Sequence, residues 1–188
     1  METYYPVNYN KSIQKQRLIY ILSTRIIWSY IICYISAAVA FVMLLGIFVN
    51  YFAYQPTDPS YYPAIIPLLG LIALCWMIAN LVLMNAFVKV DGKDKEANRK
   101  NMIAILHQYY KLNNLDIADE NMIRDIKPYE FVINGRMFTC LMDNEIVYLN
   151  ITTVQNFHNL SPFNGLYNYY KCKRLAKEFK RLKSENKE

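Results

Sequence analysis

The sequence predicts an integral membrane protein in which a hairpin of two transmembrane helices precedes a small α+β domain. Between Arg25 and Lys89 the only charged residue is Asp58, and it lies among the turn-forming residues 55–59. Each side of that turn has more than the roughly 20 apolar residues needed to cross a hydrocarbon core about 30 Å thick. After Lys89 the composition becomes polar, with apolar residues recurring at helix and strand periods. The chain therefore divides into a membrane part and a domain over 91–188.

The two predicted spans cover residues 27–49 and 63–88, joined by an outer loop over 50–62. The loop has no basic residue, whereas basic residues cluster before the first span and after the second (Lys11, Lys15, Arg17 and Arg25; Lys89, Lys93, Lys95, Arg99 and Lys100). By the positive-inside rule both termini are cytoplasmic. We expect the protein in the inner membrane of a bacterium, with membrane lipids as partners.

The first segment, 1–26, has an amphipathic pattern. Ile13, Leu18, Ile21 and Leu22 share a helical stripe that Lys11 and the neighbouring basic residues avoid. This pattern predicts a helix that lies on the membrane surface before the first span. The alternative, in which the same residues extend the spanning helix into water, is equally compatible with the pattern.

Small and polar residues recur at helical spacing in both spans. They are Ser29, Cys33, Ala37 and Ala40 in the first span and Gly70, Ala73 and Asn80 in the second. Such strips let another helix approach closely, so we predict a helix–helix contact in the membrane. Asn80 lies within the apolar layer. It is interpreted as an interhelical hydrogen-bonding group in preference to a pore-lining one.

The domain over 91–188 reads as helix, three-stranded antiparallel meander, helix. The periodicity predicts helices over 93–111 and 165–183, and a short helix over 117–126 that Asp116 caps. Strands are predicted over 129–133, 136–142 and 145–152. Asn134-Gly135, the favoured pair for a type I′ turn, and Asp143-Asn144 connect them. The two helices then pack on the apolar face of the sheet.

The second face of this sheet is unusually apolar for a solvated surface. It presents Val132, Met137, Leu141, Ile146 and Tyr148. We predict that this face contacts a second copy or a partner membrane protein, which predicts an oligomer. The alternative is that the short helix over 117–126 covers it within one chain.

The terminal segment, 165–188, is basic, with eight basic and three acidic residues and hence a net charge of +5. One face of its helix carries Lys171, Arg174, Lys177 and Arg181. This pattern favours contact with anionic lipid headgroups. No nucleic-acid-reading motif accompanies it, so we do not expect a nucleic-acid partner.

The chain has none of the common phosphate-cradling, metalloprotease or nucleophile motifs. His107 and His158 have no metal-ligating partners at recognisable spacing. The four cysteines form no C-x-x-C pair and are expected to be free thiols. The sequence therefore predicts no metal site, no cofactor and no enzymatic activity.

The predicted function is a membrane-anchored interaction or scaffold module that presents a small cytoplasmic domain. An oligomeric pore or channel is the alternative. A membrane-tethered hydrolase is the weaker third hypothesis, because the carboxylates of Asp116, Asp119, Glu120 and Asp125 are better explained by a solvated helix.

Overall fold

The computed structural model describes residues 6–53, 65–110, 115–117, 119–125, 134–155 and 159–185. The chain has a mixed α+β fold. Its helices are α1 (Tyr9–Lys15), α2 (Thr24–Ala53), α3 (Ile65–Leu83), α4 (Lys95–Tyr110) and α5 (Gly165–Glu185). Its strands are β1 (Val88–Asp91), β2 (Leu115–Asp116), β3 (Met122–Asp125), β4 (Asn134–Asp143), β5 (Ile146–Gln155) and β6 (Asn159–Leu160).

Over the residues that the structure describes, the antiparallel sheet has four strands of at least four residues, in the order β1-β5-β4-β3, where the sequence predicted three strands in all. The two-residue strands β2 and β6 add to β3 and β5. The sequence pattern missed β1 because its apolar residues Val88 and Val90 continue the apolar run of the second span. In the structure they alternate with exposed Lys89 and Asp91, which is the period of a strand.

The predicted short helix over 117–126 is wrong over its described residues, because Met122–Asp125 form β3 and pair with β4. Pairing with a strand that is already buried satisfies the backbone of this segment better than an isolated turn of helix. The predicted turn at Asn134-Gly135 is also wrong. Both residues belong to the β4–β5 ladder, opposite Gln155 and Val154, and Gly135 lacks the positive φ of a type I′ turn. The predicted strand over 129–133 lies outside the described residues.

The hairpin between β4 and β5 turns at Asn144 and Glu145, one residue later than predicted. Asn144 adopts the left-handed conformation, with φ 50°, that asparagine tolerates well. Cys140 consequently pairs with Leu149 instead of Val147. A shift of two residues leaves every side chain on its predicted face, whereas a shift of one would reverse it.

The first core lies between the sheet and the helices α4 and α5. It contains Phe138, Cys140, Val147, Leu149 and Ile151 from the sheet, which alternate along β4 and β5 and so share one face. Met102, Ile105 and Leu106 of α4 and Cys172, Leu175 and Phe179 of α5 pack against them. The predicted packing of two helices on this apolar face is confirmed, and their bounds agree with the predicted ranges within two residues at each described end.

The second core lies on the opposite face of the sheet. It joins Met137, Leu141 and Tyr148 of the sheet to Leu18 and Tyr20, and to residues near the start of α2 and the end of α3. The predicted long amphipathic helix is not formed. The helix α1 ends at Lys15 because Gln16 takes a left-handed cap, with φ 53°. The following residues return as an extended segment, with a bridge between Val7 and Tyr20.

Two tyrosines tie this N-terminal segment to the sheet. The Tyr9 hydroxyl donates to the Met142 carbonyl at 2.6 Å, and the Tyr20 hydroxyl donates to Thr152 Oγ1 at 3.1 Å. Ser12 is buried, and its hydroxyl closes the turn by bonding both backbone groups of Ile19. The segment is therefore a structural part of the domain and not a free surface helix.

Candidate membrane surface and its junction with the sheet

The helix α2 has an apolar surface that nothing in the described part of the chain covers. Residues Ile26–Tyr51 form a helix long and apolar enough to cross a membrane, and only 11% of its most apolar stretch is buried. Its 26 residues extend about 39 Å at 1.5 Å per residue. Exposed side chains include Trp28, Tyr34, Val42 and Met43.

The helix α3 is also apolar and is shorter, with its described apolar part at Leu68–Leu83. It ends at Leu83, five residues before the predicted end of the second span, because the chain then enters β1. It packs antiparallel to α2. Near one end the Asn85 side chain donates to the Tyr30 hydroxyl at 3.2 Å, and near the other Phe48 lies on Gly70, where an added Cβ would approach its ring to 3.0 Å.

The predicted small-residue strips lie on the inner side of this helix pair. Ser29, Cys33, Ala37, Gly70 and Asn80 are buried. Ala40 and Ala73 are half-buried. Their burial within one chain leaves the larger apolar side chains to face outward.

Asn80 links α3 to the α+β domain. Its side-chain carbonyl accepts a hydrogen bond from the backbone N–H of Leu166 at 3.0 Å, and its amide donates to the Trp76 carbonyl at 2.8 Å. An N–H in the first turn of a helix has no partner inside the helix, so Asn80 caps α5 from another helix. Gly165 makes the approach possible, because a Cβ there would overlap the Asn80 carbonyl oxygen.

Ser29 makes the corresponding contact from α2. Its hydroxyl accepts a hydrogen bond from the backbone N–H of Leu160 in β6 at 2.7 Å, and the serine is fully buried. The small size of Ser29 therefore admits a strand end rather than another helix.

Asn150, in the middle of β5, completes the junction. Its side-chain amide donates to the carbonyl of Met84 at 3.3 Å and to that of Ala86 at 3.0 Å, just beyond the end of α3. The backbone N–H of Leu18 donates to the Asn85 carbonyl at 2.8 Å. Polar contacts from α2, α3, β5 and the N-terminal segment thus converge where the apolar helices meet the sheet. We call this set of contacts the junction.

An aromatic and basic cluster lies near the start of α5, next to the junction. The guanidinium of Arg136 and the ammonium of Lys171 lie 5.1 and 4.8 Å from the centre of the exposed Tyr167 ring. The Lys171 ammonium, which hydrogen-bonds the Tyr167 hydroxyl, lowers the pKa of that phenol. Trp76 of α3 stacks on Phe163 at 6.5 Å between ring centres. Rings with a polar tip beside cations are typical of a membrane–water interface.

The predicted lipid-contacting residues of α5 lie at different distances from the junction along the helix. Its first turn contacts Asn80, whereas Lys183 near its end donates to the carbonyls of Asp91 and Gly92 at the far end of β1. Lys171 and Arg181 are consequently about 15 Å apart along the axis. Lys171 is half-buried near the junction, and Arg174, Lys177 and Arg181 are exposed farther from it. Arg181 also pairs with Glu178 at 3.1 Å.

The structure contradicts the predicted partner interface on the second sheet face. Met137, Leu141 and Tyr148 are only 8%, 0% and 4% exposed, and Ile146 is partly buried against the same core. Segments of the same chain cover this face, so these side chains are not a free surface. The proposed cover was also wrong, because the described residues 122–125 form β3 of the sheet itself, and the N-terminal segment and the helix ends pack over this face. Val132 lies outside the described residues.

Residues with potential chemistry are dispersed. Among the described residues no three His, Cys, Asp or Glu side chains form a group that could hold a metal ion. His107 is exposed, and His158 lies outside the described residues. Burial raises the pKa of the Cys172 thiol to about 12 and raises that of Cys140 still further, so both remain protonated at neutral pH. A thiol needs ionisation to act as a nucleophile or metal ligand.

Sequence reasoning missed Asn85, Asn150, Arg136 and Tyr167. Asn150 was placed on the second sheet face, among the residues of the predicted partner interface, and Arg136 directly after the predicted Asn134-Gly135 turn. Only Asn85 gave a signal, because it is a polar residue near the end of the predicted second span and polar residues at helix ends commonly take part in caps.

Comparison of the chain with protein-family models, curated proteins and solved structures finds no match.

Proposed function

We propose that the protein is a membrane-anchored scaffold or interaction module whose α2 and α3 cross the membrane as a hairpin. The observation that carries the proposal is the uncovered apolar surface of α2 beside the buried junction. Burying exposed apolar area is favourable by about 25 cal/mol per Å², so a helix with this surface partitions into lipid. The α+β domain is then held at the inner face, with both termini cytoplasmic.

The charge distribution supports this orientation. Lys11, Arg17 and Lys89 lie at the junction end of the helices, whereas the described apolar parts, 26–53 and 65–83, contain no charged residue. Basic residues remain preferentially on the cytoplasmic side of a membrane. The junction end is thus the cytoplasmic end.

A rigid connection is what distinguishes this module from a tethered domain. The contacts made by Ser29, Asn80 and Asn150 bury polar groups in hydrogen bonds, and such bonds are expensive to break when water cannot replace them. The domain therefore keeps a fixed orientation to the membrane. Its partner, a second copy or another membrane protein, contacts the outer face of the helices or the exposed face of α5, since the second sheet face is covered.

The pore hypothesis depended mainly on Asn80, and this arrangement does not favour a pore-lining role for that residue. Both polar groups of the Asn80 side chain have partners within the chain, so lining a pore would require breaking the cap on α5. A hydrolase is likewise not favoured by any specific contact.

Cysteine labelling tests the topology. Single cysteines replacing Thr57 or Ser60 should react with a membrane-impermeant maleimide in intact cells, and Gln14→Cys or Ser184→Cys should react only after permeabilisation. Gln14 and Ser184 are exposed at the junction side and at the end of α5. The unsubstituted protein is the control for the native thiols, of which Cys33, Cys140 and Cys172 are buried. Labelling of Gln14→Cys from outside would contradict the proposed orientation, and release of the protein by alkaline carbonate would contradict anchoring.

Purification in gentle detergent tests the scaffold role. A defined foreign protein in stoichiometric amount, or a stable dimer, is the expected result. A pure large ring would favour the pore instead.

A further inference from the structure

A cleft of about 480 Å³, lined by both polar and apolar groups, opens at the start of α2. The N-terminal segment forms one wall, and α2 with Asn85, two residues after the end of α3, forms the other. The lining includes Lys11, Arg17, Leu22, Tyr30, Tyr34 and Asn85. The cleft therefore lies where the apolar helix surface gives way to the domain.

The cleft is positively charged. Lys11 and Arg17 are exposed, and no hydrogen bond or ion pair engages their cationic groups among the described residues. No acidic residue is among the described residues that line the cleft, and none occurs between residues 6 and 53. Within this described lining an anion meets two cations and no carboxylate. A zwitterionic headgroup also carries an ammonium group, and the described lining offers no carboxylate to pair with it.

Two phenol hydroxyls add donors beside the cations. Asn85 holds the Tyr30 hydroxyl at 3.2 Å, and the ring of Tyr34 stacks on that of Tyr30 with centres 6.3 Å apart. Hydroxyl and guanidinium donors are the groups that bind phosphate oxygens in proteins.

The remaining border of the cleft is apolar. Ile21 and Leu22 are 50% and 73% exposed, and Tyr34 continues into the outer surface of α2 through Ile31 and Ile35. A small inorganic anion needs no such surface, whereas the acyl chains of a lipid do. We propose that this cleft binds the phosphate of an anionic glycerophospholipid, whose acyl chains lie along α2. This assignment rests on the proposed membrane anchoring.

Lipid titration of the full chain in detergent, followed by native mass spectrometry, tests the assignment. Dioleoylphosphatidylglycerol should bind more tightly than dioleoylphosphatidylcholine. Lys11→Gln with Arg17→Gln should weaken phosphatidylglycerol binding about 30-fold, since each basic residue near an anionic lipid surface contributes about 1 kcal/mol and 1.4 kcal/mol is a factor of ten. The matched control is Lys15→Gln with Lys100→Gln. It removes the same charge from exposed positions outside the cleft and should change binding less than about twofold.

Equal weakening by the control pair, or equal binding of the two lipids, would overturn the assignment. A second arm adds inorganic phosphate as competitor. If phosphate displaces the lipid and binds the lipid-free protein with the same dependence on Lys11 and Arg17, the cleft is a free-phosphate site and the proposal is wrong. Circular dichroism checks folding. Should the double variant unfold, Lys11→Gln alone, at an exposed position, should still weaken binding about fivefold.

The two proposals fail differently. If the chain remains in carbonate-washed membranes but does not discriminate between headgroups, only the proposed lipid site is wrong. If carbonate releases the chain, both the membrane anchoring and the lipid site are wrong.

Discussion

The two faces of the sheet bury cores of different origin. The first core draws its described buried apolar residues from Val88 onward. The second core combines residues from the N-terminal segment, both apolar helices and the sheet. Hydrogen-bonded polar groups such as Asn150 and the Tyr20 hydroxyl border it. The first core holds the α+β domain together, and the second attaches this domain to the apolar helices α2 and α3.

This difference implies that the two cores can be disturbed separately. Loss of the first removes the packing of α4 and α5 and hence the domain itself. Loss of the second releases the N-terminal segment and the helix ends while the sheet keeps its other face. The substitutions below test that separation.

The largest effect is expected from matched truncations in the two cores. Phe179→Ala and Leu141→Ala each remove a fully buried side chain and should lower the free energy of unfolding by about 3–5 and 2–5 kcal/mol. Hydrogen exchange should distinguish them, because Leu141→Ala should speed exchange around Leu18 and Tyr20 more than in α5. Phe179→Ala should show the reverse. Lys180→Ala, at an exposed neighbouring position, is the control. Equal loss of protection everywhere in both variants would mean that the cores form one cooperative unit.

Gly165→Ala tests the contact between α5 and α3. Alanine is the better helix former by about 1 kcal/mol, so helix propensity alone predicts stabilisation. The added Cβ would instead overlap the Asn80 carbonyl oxygen and lie 2.8 Å from Met84 N. We expect a net loss of about 1–3 kcal/mol in chemical unfolding. Gly46→Ala on α2 is the matched control, since nothing lies within 4 Å of its added Cβ. A stabilised Gly165→Ala variant would contradict the close approach.

Ser29→Ala tests the contact between α2 and β6. It leaves the buried N–H of Leu160 without its partner, which should cost about 2 kcal/mol. Exchange of the Leu160 amide should accelerate accordingly. Ser36→Ala is the control, because that hydroxyl bonds only the Ile32 carbonyl of its own helix and should have an effect below about 0.5 kcal/mol. Similar effects of both substitutions would show that Ser29 contributes nothing to the junction.

The smallest effect concerns the thiols of the first core. Below pH 9 the Cys172 thiol is neutral in the folded and unfolded chain. As the pH rises above its usual pKa of 9.0, the unfolded thiol ionises, whereas burial keeps the folded one protonated up to about pH 12. The unfolded chain then binds fewer protons, so stability falls by up to about 1.4 kcal/mol per pH unit.

Cys172→Ala tests whether the ionisation of this thiol contributes to the loss of stability at high pH. The variant should be less stable than the native chain at neutral pH because of the lost packing, and its stability should decline less steeply between pH 9 and 10. Parallel declines would show that the thiol does not contribute to the alkaline loss.

Much of the fold follows from local patterns in the sequence. The apolar run predicts α2, and helical spacing predicts α4 and α5. Alternation in 138–151 places Phe138, Cys140 and Val147 on one face even though the turn was misplaced by one residue. These features depend on which side of an element is apolar, and each element carries that information itself.

What covers the second sheet face was decided only by the tertiary structure. The pattern of Met137, Leu141 and Tyr148 shows an apolar face but does not say whether a partner or the same chain buries it. The cover comes from Leu18 and Tyr20, more than 110 residues earlier in the chain. The role of Asn80 is similar, because its partner Leu166 lies 86 residues away. Local periodicity is set by backbone geometry and can be read from a few turns. Contacts between distant segments depend on the closure of long loops, which no local pattern encodes.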